Sequence, residues 1–328
     1  MRMNRLLALG AAMLVLFSAC TSGGGSTTAP SVAPPTAVAS SGASSAPAST
    51  AAKPTIKIGS DNFYESVLMA EIYAQALEHA GYTVDRHFKL GARQAREPAL
   101  ESGQVDLVPE YVGSGLAYYD PTKDSGDGDA NRAALQTILN TKGGGITVLN
   151  IAPAQDGNAF VVRKDTATTL NLSKMSDLAA VQTQLKWGLP SDCDTNPVCK
   201  GALVKYGITY PPAQRTALDA CDVPMATALN GKAIDIAELC STQPAIAQFG
   251  FVQLTDDLKT QPAENIAPLV RNDYLAKVDA TSFEAILNAV SAKMTTADLT
   301  TLGVDIAVNQ QDVPTVATQW LTQNGLLQ

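Results

Sequence analysis

The spacing of apolar positions changes several times along the chain, and each change marks an element. IKIG (56–59) is a short apolar run, read as a buried strand. Leu68, Met69, Ile72, Ala76 and Leu77 then recur at three- and four-residue spacing, which predicts a helix to about Ala80 with one stripe against a sheet. Gly81 follows as a C-cap. Ser60, Asp61 and Asn62 precede the helix as N-cap types, one to cap and the others free to face a crevice. Strand and helix then repeat: YTVDRHF (82–88), a short helix around 94–102, and the stretch QVDLVPEYVGSG (104–115). In that stretch a strand from Val105 to Val108 runs into Pro109 and delivers Glu110, Tyr111, Gly113, Ser114 and Gly115 at its C-terminal end. In an open α/β sheet this end faces the ligand crevice. The glycines permit close backbone approach there, and Tyr111 offers a flat face with a polar tip.

The same alternation continues with a helix over 130–140 and a strand over 146–151. A second unit begins at APAQDGNAFVVRKD, with a helix near 174–186, a strand LKWGL, a Cys-bearing loop (191–200), a helix to Tyr206 and a strand–helix–strand to 239. IAPLV (266–270) reads as one more strand. Residues 281–325 read as helical, interrupted by VDIAV (304–308), with Pro314 near the start of a last amphipathic helix. Such alternation predicts an α/β fold built from parallel, doubly wound units. ALESGQVDLVPEY (99–111) and ALNGKAIDIAEL (228–239) echo each other, with equal spacing from Gly103 to Glu110 and from Gly231 to Glu238. Two similar lobes with a cleft between them would account for that echo, and so would chance, since helix–Gly–strand is a common arrangement.

The first 53 residues follow another pattern. Arg2 and Arg5 precede an apolar run from Leu6 to Phe17, too short for a stable membrane-spanning helix and of the three-part form of an export signal. Phe17-Ser18-Ala19-Cys20 resembles the bacterial lipobox, although Leu is the commoner residue at the Phe17 position. That likeness implies a signal peptide over 1–19 and a lipidated Cys20 anchoring the chain on the outer face of the cytoplasmic membrane. Residues 20–53 are expected to form a disordered linker. Ser, Thr, Ala, Gly and Pro make up 21–52 apart from Val32 and Val38, with no charge before Lys53, so the tract cannot bury enough apolar surface to fold and reaches about 30 Å as a flexible coil.

Composition narrows the function. Of the 328 residues, 45% are hydrophobic and 16% charged, enough for one large domain or two lobes. The formal net charge of −8 becomes more negative once Arg2 and Arg5 are removed, which argues against nucleic acid as a partner. His79 and His87 sit at a helix end and in a polar strand, and no GxSxG or HExxH motif occurs, so no catalytic residues are assigned. Asp106 and Asp235 occupy matching strand positions, which suggests a shared structural role rather than an acid–base pair. DSGDGD (124–129) places Gly where a calcium loop alternates carboxylates and lacks the closing Glu. Besides Cys20 there are four cysteines, an even number that suggests two disulfides in an exported chain. Three pairings are possible. Cys193–Cys199, within one loop, and Cys221–Cys240 are favoured over zinc binding, which lacks close CxxC pairs and nearby His. No metal or cofactor is expected, and a monomer is.

IKIGSDNFYESVLMAEIYAQALEHAGYTVDR, ALESGQVDLVPEYVGSGL, NAFVVRKD and IAPLVRND together resemble the substrate-binding proteins of osmoprotectant ABC importers, receptors for glycine betaine, choline and carnitine. The resemblance runs from about residue 55 to the C-terminus. It implies a two-lobe fold of the type II periplasmic-binding-protein kind with two hinge crossovers, near 152–158 and 261–266. Lobe one is then 54–157 with 263–328, and lobe two 158–262. It also implies a receptor, not an enzyme, that closes on its ligand and delivers it to a membrane permease. In this family a cage of tyrosines surrounds a quaternary ammonium and an Arg in lobe two grips a betaine carboxylate. Tyr111 falls on the cage Tyr of the family's EYTGT motif and Ser114 on its Thr. Asp61 falls on a ligand-facing polar position and Asn158 on a crossover Asn, while Tyr64 replaces a Thr at the cleft edge.

Three features depart from the family. Cys240 stands where a cage Tyr is usual, another cage Tyr is absent near Ala263, and the lobe-two Arg is replaced around Asn196 in SDCDTNPVCKG, leaving Arg93 as a candidate substitute. Glycine betaine is therefore expected to bind weakly, and a cation without a carboxylate, or a larger polar or aromatic solute, to bind better. Loss of the pocket, leaving a surface interaction protein, is the remaining alternative.

Overall fold

The computed structural model describes residues 53–327 other than Asp124. The expected signal, Cys20 and the linker up to residue 52 lie outside the described residues.

The chain builds two five-stranded sheets. The first unit runs β1 (Ile56–Gly59), α1 (Tyr64–His79), β2 (Val84–His87), α2 (Arg93–Glu101), β3 (Leu107–Tyr111), α3 (Val112–Tyr119), α4 (Gly128–Leu139) and β4 (Ile146–Val148). The second runs β5 (Asn158–Val162), α5 (Lys164–Leu170), β6 (Trp187–Leu189), α6 (Ala202–Lys205), β7 (Arg215–Ala217), α7 (Val223–Asn230), β8 (Ile236–Cys240), α8 (Ala245–Gln248) and β9 (Val252–Gln253). The chain then returns as β10 (Ile266–Arg271), α9 (Asn272–Leu275), α10 (Ala280–Lys293), α11 (Thr296–Ala307) and α12 (Val313–Gln323).

Strand order is β2-β1-β3-β10-β4 in the first sheet and β7-β6-β8-β5-β9 in the second. In each, three parallel strands meet one antiparallel neighbour, β10 or β5. The segments that pass between the sheets pair with each other at Gln155↔Asn265, and Asp156 N–H donates to the Glu264 carbonyl at 3.1 Å.

The two halves align through their aspartates. Asp106 accepts the Lys57 backbone N–H at 3.0 Å, and Asp235 accepts that of Lys186 at 3.0 Å. Each aspartate's own N–H returns to the same lysine's carbonyl, at 2.7 and 2.8 Å. The expected structural role of this pair is thus visible as one repeated side-chain clasp between neighbouring parallel strands. Aligning on the clasp corrects the echo seen in the sequence. The counterpart of Glu238 is Pro109, not Glu110, and the counterpart of Tyr111 is Cys240. One residue of slip exchanges the faces of a strand, so Glu110 and Glu238 point to opposite sides of their sheets.

Other local expectations change for physical reasons. Pro109 lies inside β3, opposite Pro268 of β10. The flanking bonds, Arg271 N–H to Asp106 and Val112 N–H to Asn265, put both prolines at positions that exchange no hydrogen bond between these strands, so neither missing N–H breaks their shared ladder. No side chain caps α1; its N-cap is Phe63, and the Ser66 hydroxyl instead accepts the Asp61 N–H. The segment near 174–186 forms short 3-10 turns, Met175–Ala180 and Gln182–Gln184, rather than one helix. VDIAV does not interrupt the C-terminal helices, since α11 runs through Ala307. Asp127, in the 124–129 stretch, caps α4 by accepting the Ala130 N–H.

α1 is buried nearly all round, not along one stripe, because the returning C-terminal helices cover the face turned from the sheet. Leu68, Met69, Ile72 and Leu77 are fully buried, each contributing about 1.5–3 kcal/mol. Among the described residues no helix is long and apolar enough to cross a membrane.

Candidate functional site

Strand ends of both sheets open into one cavity of about 110 Å³. β1 and β3 bring Asp61, Phe63, Tyr111 and Ser114 to its first wall, with Arg93 from α2. β6 and β8 bring Asp192, Asn196, Glu238 and Cys240 to the second, with Asp219 and Cys221 from the loop before α7. Asp156, Asn158 and Glu264, at the crossovers, line it between them. Five of the six expected ligand-facing residues thus come together. Tyr64 does not line the cavity; a side chain at Gly303 of α11 would come within 2.9 Å of its hydroxyl. Its neighbour Phe63 faces the cavity instead, with its ring 5.8 Å from that of Tyr111.

The polar atoms of the first wall are largely engaged. The Tyr111 hydroxyl donates to Glu65 at 2.7 Å, leaving its ring as the part that can serve a ligand. Arg96, fully buried, donates to Asp61 at 2.9 Å and to Glu110 at 2.6 Å, and pairs with Glu97 at 2.9 Å. Arg93 grips Glu110 through Nη2 at 2.8 Å and Nε at 3.1 Å. The candidate substitute for a carboxylate-gripping Arg is therefore already neutralised. Burial raises the Glu110 carboxyl, but the two guanidinium groups outweigh it and hold Glu110 below the usual carboxylate range. Burial pushes Glu97 up to about 8, with the Arg96 charge only partly offsetting it. With Glu97 protonated, two carboxylates balance two guanidiniums and the cluster is neutral.

Ser114 donates both its N–H, at 3.0 Å, and its hydroxyl to Glu264. Burial pushes Glu264 up to about 8 against those bonds. The glycines flanking Ser114 serve packing within the protein rather than approach of a ligand. A Cβ at Gly113 would lie 2.6 Å from the Ala263 carbonyl, and one at Gly115 2.9 Å from the Glu110 carboxyl. The two walls also touch. Thr242, after β8, donates its hydroxyl to Glu65 at 2.8 Å and its N–H to Asp156 at 2.9 Å. Burial, and then the mutual repulsion of these acids, raises Glu65 well above its ordinary value.

The second wall is acidic and carries both disulfides. Cys193–Cys199 and Cys221–Cys240 are each bonded, with Cα separations of 5.1 and 4.7 Å. Cys240 and Cys221 form the surface where the counterpart Tyr111 stands in the first wall. Asn196 caps a turn by accepting the Val198 N–H at 3.1 Å, and donates to Asp192 at 3.3 Å. Asn158 stands opposite Cys240 in the β5–β8 register. Glu238 is 1% exposed, and its Oε2 has no hydrogen-bond partner. Burial, and then Asp192, raises its carboxyl well above the ordinary value. Cys193, Cys199 and Glu238 lie close enough to hold a metal, but the disulfide consumes both thiolates and leaves one carboxylate, too few ligands for an ion.

Sequence reasoning missed Phe63, Asp156, Glu238 and Glu264. Phe63 was within reach, one residue from Tyr64. The three acids carry no local signal, since only the meeting of two sheets makes them neighbours.

Comparison with known proteins agrees with this geometry. Residues 54–323 match the family described as the substrate-binding domain of ABC-type glycine betaine transport systems. The chain is 26% identical over 292 residues to a glycine-betaine-binding protein of Pseudomonas aeruginosa, covering 85% of this chain and 91% of that one. It is 27% identical over 286 residues to the glycine betaine-binding protein YehZ of Escherichia coli, covering 84% and 92%. Its fold matches the crystal structure of a glycine betaine/carnitine/choline ABC transporter with a TM-score of 0.63 at 21% identity, covering 83% of this chain and all of that one.

Proposed function

Because the chain belongs to the family of substrate-binding domains of ABC-type glycine betaine transport systems, we propose that it is an exported, lipid-anchored receptor that captures a small osmoprotectant of quaternary-ammonium type and hands it to a membrane permease. The observation that carries this reading is a single cavity walled by both sheets, with the Phe63 and Tyr111 rings on one side. An aromatic face attracts an organic cation by about 0.5–2 kcal/mol per good contact. A solute that touches both walls favours the state in which they are close, so binding drives closure about the paired crossovers at Gln155 and Asn265.

In this reading the Tyr111 and Phe63 rings, Asn158 and the Asn196 loop contact the solute. Asp61 and Ser114 complete the wall, their polar atoms being engaged by Arg96 and Glu264. The same fold holding a different small polar or aromatic solute is favoured by one observation, the Cys221–Cys240 disulfide standing where an aromatic would close the cage. A thermal-shift screen over quaternary amines and other small solutes, followed by calorimetry, tests the assignment. Stabilisation by at least one quaternary amine is expected, and a flat response to all of them overturns it. The anchor is tested separately. Cys20→Ala is expected to release the protein from the membrane fraction, and a signal-cleaved variant that still sediments with membranes overturns the lipid anchor.

A further inference from the structure

The second wall holds a carboxyl group that the fold does not satisfy. Glu238 sits on β8, in register with Phe160 of β5, with Asp192 from the loop after β6, Tyr210 from the segment after α6 and the Cys193–Cys199 disulfide around it. None of these is a cation, and among the described residues no Lys or Arg pairs with Glu238. A buried carboxylate oxygen without a donor costs free energy unless something arrives to bond it. The cavity is the place from which a donor can come, since Glu238 lines it. Its surroundings also say which charge is welcome. Asp156, Asp192, Asp219 and Glu238 line the same cavity, beside an Asp61 already paired with Arg96 and a Glu264 kept protonated by burial, against the single basic residue Arg93, already bound to Glu110.

We propose that Glu238 selects the ligand by charge, accepting an O–H or N–H from a small organic cation that carries no carboxylate. This rests on the receptor reading above and makes its substrate class narrower. The cation's apolar ammonium end lies against Phe63 and Tyr111, and its donor end reaches Glu238 Oε2. A fully methylated ammonium has no donor of its own, so a hydroxyl or amine elsewhere in the ligand is required. A betaine brings a carboxylate into a wall that has acids and no available guanidinium, which is costly. The cation also favours ionised Glu238, so the proton held there leaves to the buffer as the ligand enters.

The test is calorimetry of the purified protein with choline, tetramethylammonium and glycine betaine, in two buffers of different ionisation enthalpy, repeated on Glu238→Gln. The order expected is choline tighter than tetramethylammonium and tetramethylammonium tighter than glycine betaine, with proton release on choline binding. Glu238→Gln, which keeps the shape and removes the charge, is expected to weaken choline by about tenfold or more and to abolish proton release. Choline affinity within twofold of the parent in that variant overturns the proposal. So does glycine betaine binding at least as tightly as choline with proton uptake, which marks Glu238 as a neutral acid donating to the ligand's carboxylate. The ranking in the parent protein needs no variant to fold. If the parent binds none of the three, the quaternary-ammonium reading fails and this inference falls with it.

Discussion

Each sheet buries a glutamate at the cavity end of its central strand, and the two are treated in opposite ways. Glu110 on β3 is held by Arg93 and Arg96, both from α2. Glu238 on β8 has neither, because it points to the other face of its sheet, toward the Cys193–Cys199 disulfide and the cavity. The strand position equivalent to Glu238 in the first half is Pro109, and the position equivalent to Tyr111 in the second is Cys240. A shared scaffold, set by the Asp106 and Asp235 clasps, therefore carries an aromatic, charge-balanced wall on one side and an acidic, disulfide-bound wall on the other. Equal backbones do not make equal walls, since a single residue of register decides whether a carboxylate meets a guanidinium or a ligand.

The largest expected effect comes from breaking the balance of the first wall. Arg96→Ala leaves Asp61, Glu97 and Glu110 buried around a missing cation, and a loss of about 3–5 kcal/mol is expected in urea unfolding. Conversion of both Cys221 and Cys240 to Ser attacks the second wall. The bridge closes a loop of sequence separation 19, and its loss is expected to cost about 3 kcal/mol, against about 2 kcal/mol for the bridge of separation 6 between Cys193 and Cys199. Mass mapping of the unreduced protein is expected to show no free thiol among these four.

Much of this contrast was invisible in the sequence. The strand–helix alternation, the packing of α1 and the arrival of Tyr111 at a strand end follow from local spacing. Pro109 read as a strand end because the partner that makes it harmless, Pro268, lies far along the chain. The equal spacing from Gly103 to Glu110 and from Gly231 to Glu238 suggested equivalence, but the segment leading into β8 carries one more residue between glycine and the aspartate clasp. Tyr64 opens α1 while Phe63, its N-cap, keeps extended backbone, so the two neighbouring rings part, one toward α11 and the other into the cavity. The Arg96 cluster is mostly tertiary, since Asp61 follows β1 and Glu110 lies on β3, with only Glu97 on the same helix.

Smaller effects sharpen the comparison. Tyr111→Ala is expected to weaken the best ligand by about 1 kcal/mol or more if aromatic contact holds its ammonium, measured by calorimetry, and unchanged affinity removes Tyr111 from the site. A further effect is in pH. Glu97 titrates near 8 in the folded protein and near 4.5 as its ordinary value, so the folded state binds more protons between these limits. Its contribution is fully present below about 4.5 and fades as pH rises toward 8, the reverse of the trend expected from Glu110. The melting temperature is expected to fall from pH 6 to pH 9, and Glu97→Gln to make the fall shallower.

The direct test of the central claim is a crystal structure of the protein with choline bound. The quaternary nitrogen is expected within about 6 Å of the Phe63 and Tyr111 ring centroids, with the choline hydroxyl at hydrogen-bond distance from Glu238 Oε2. Choline bound with its hydroxyl turned away from Glu238, or seated outside the cavity between the two sheets, would contradict the account.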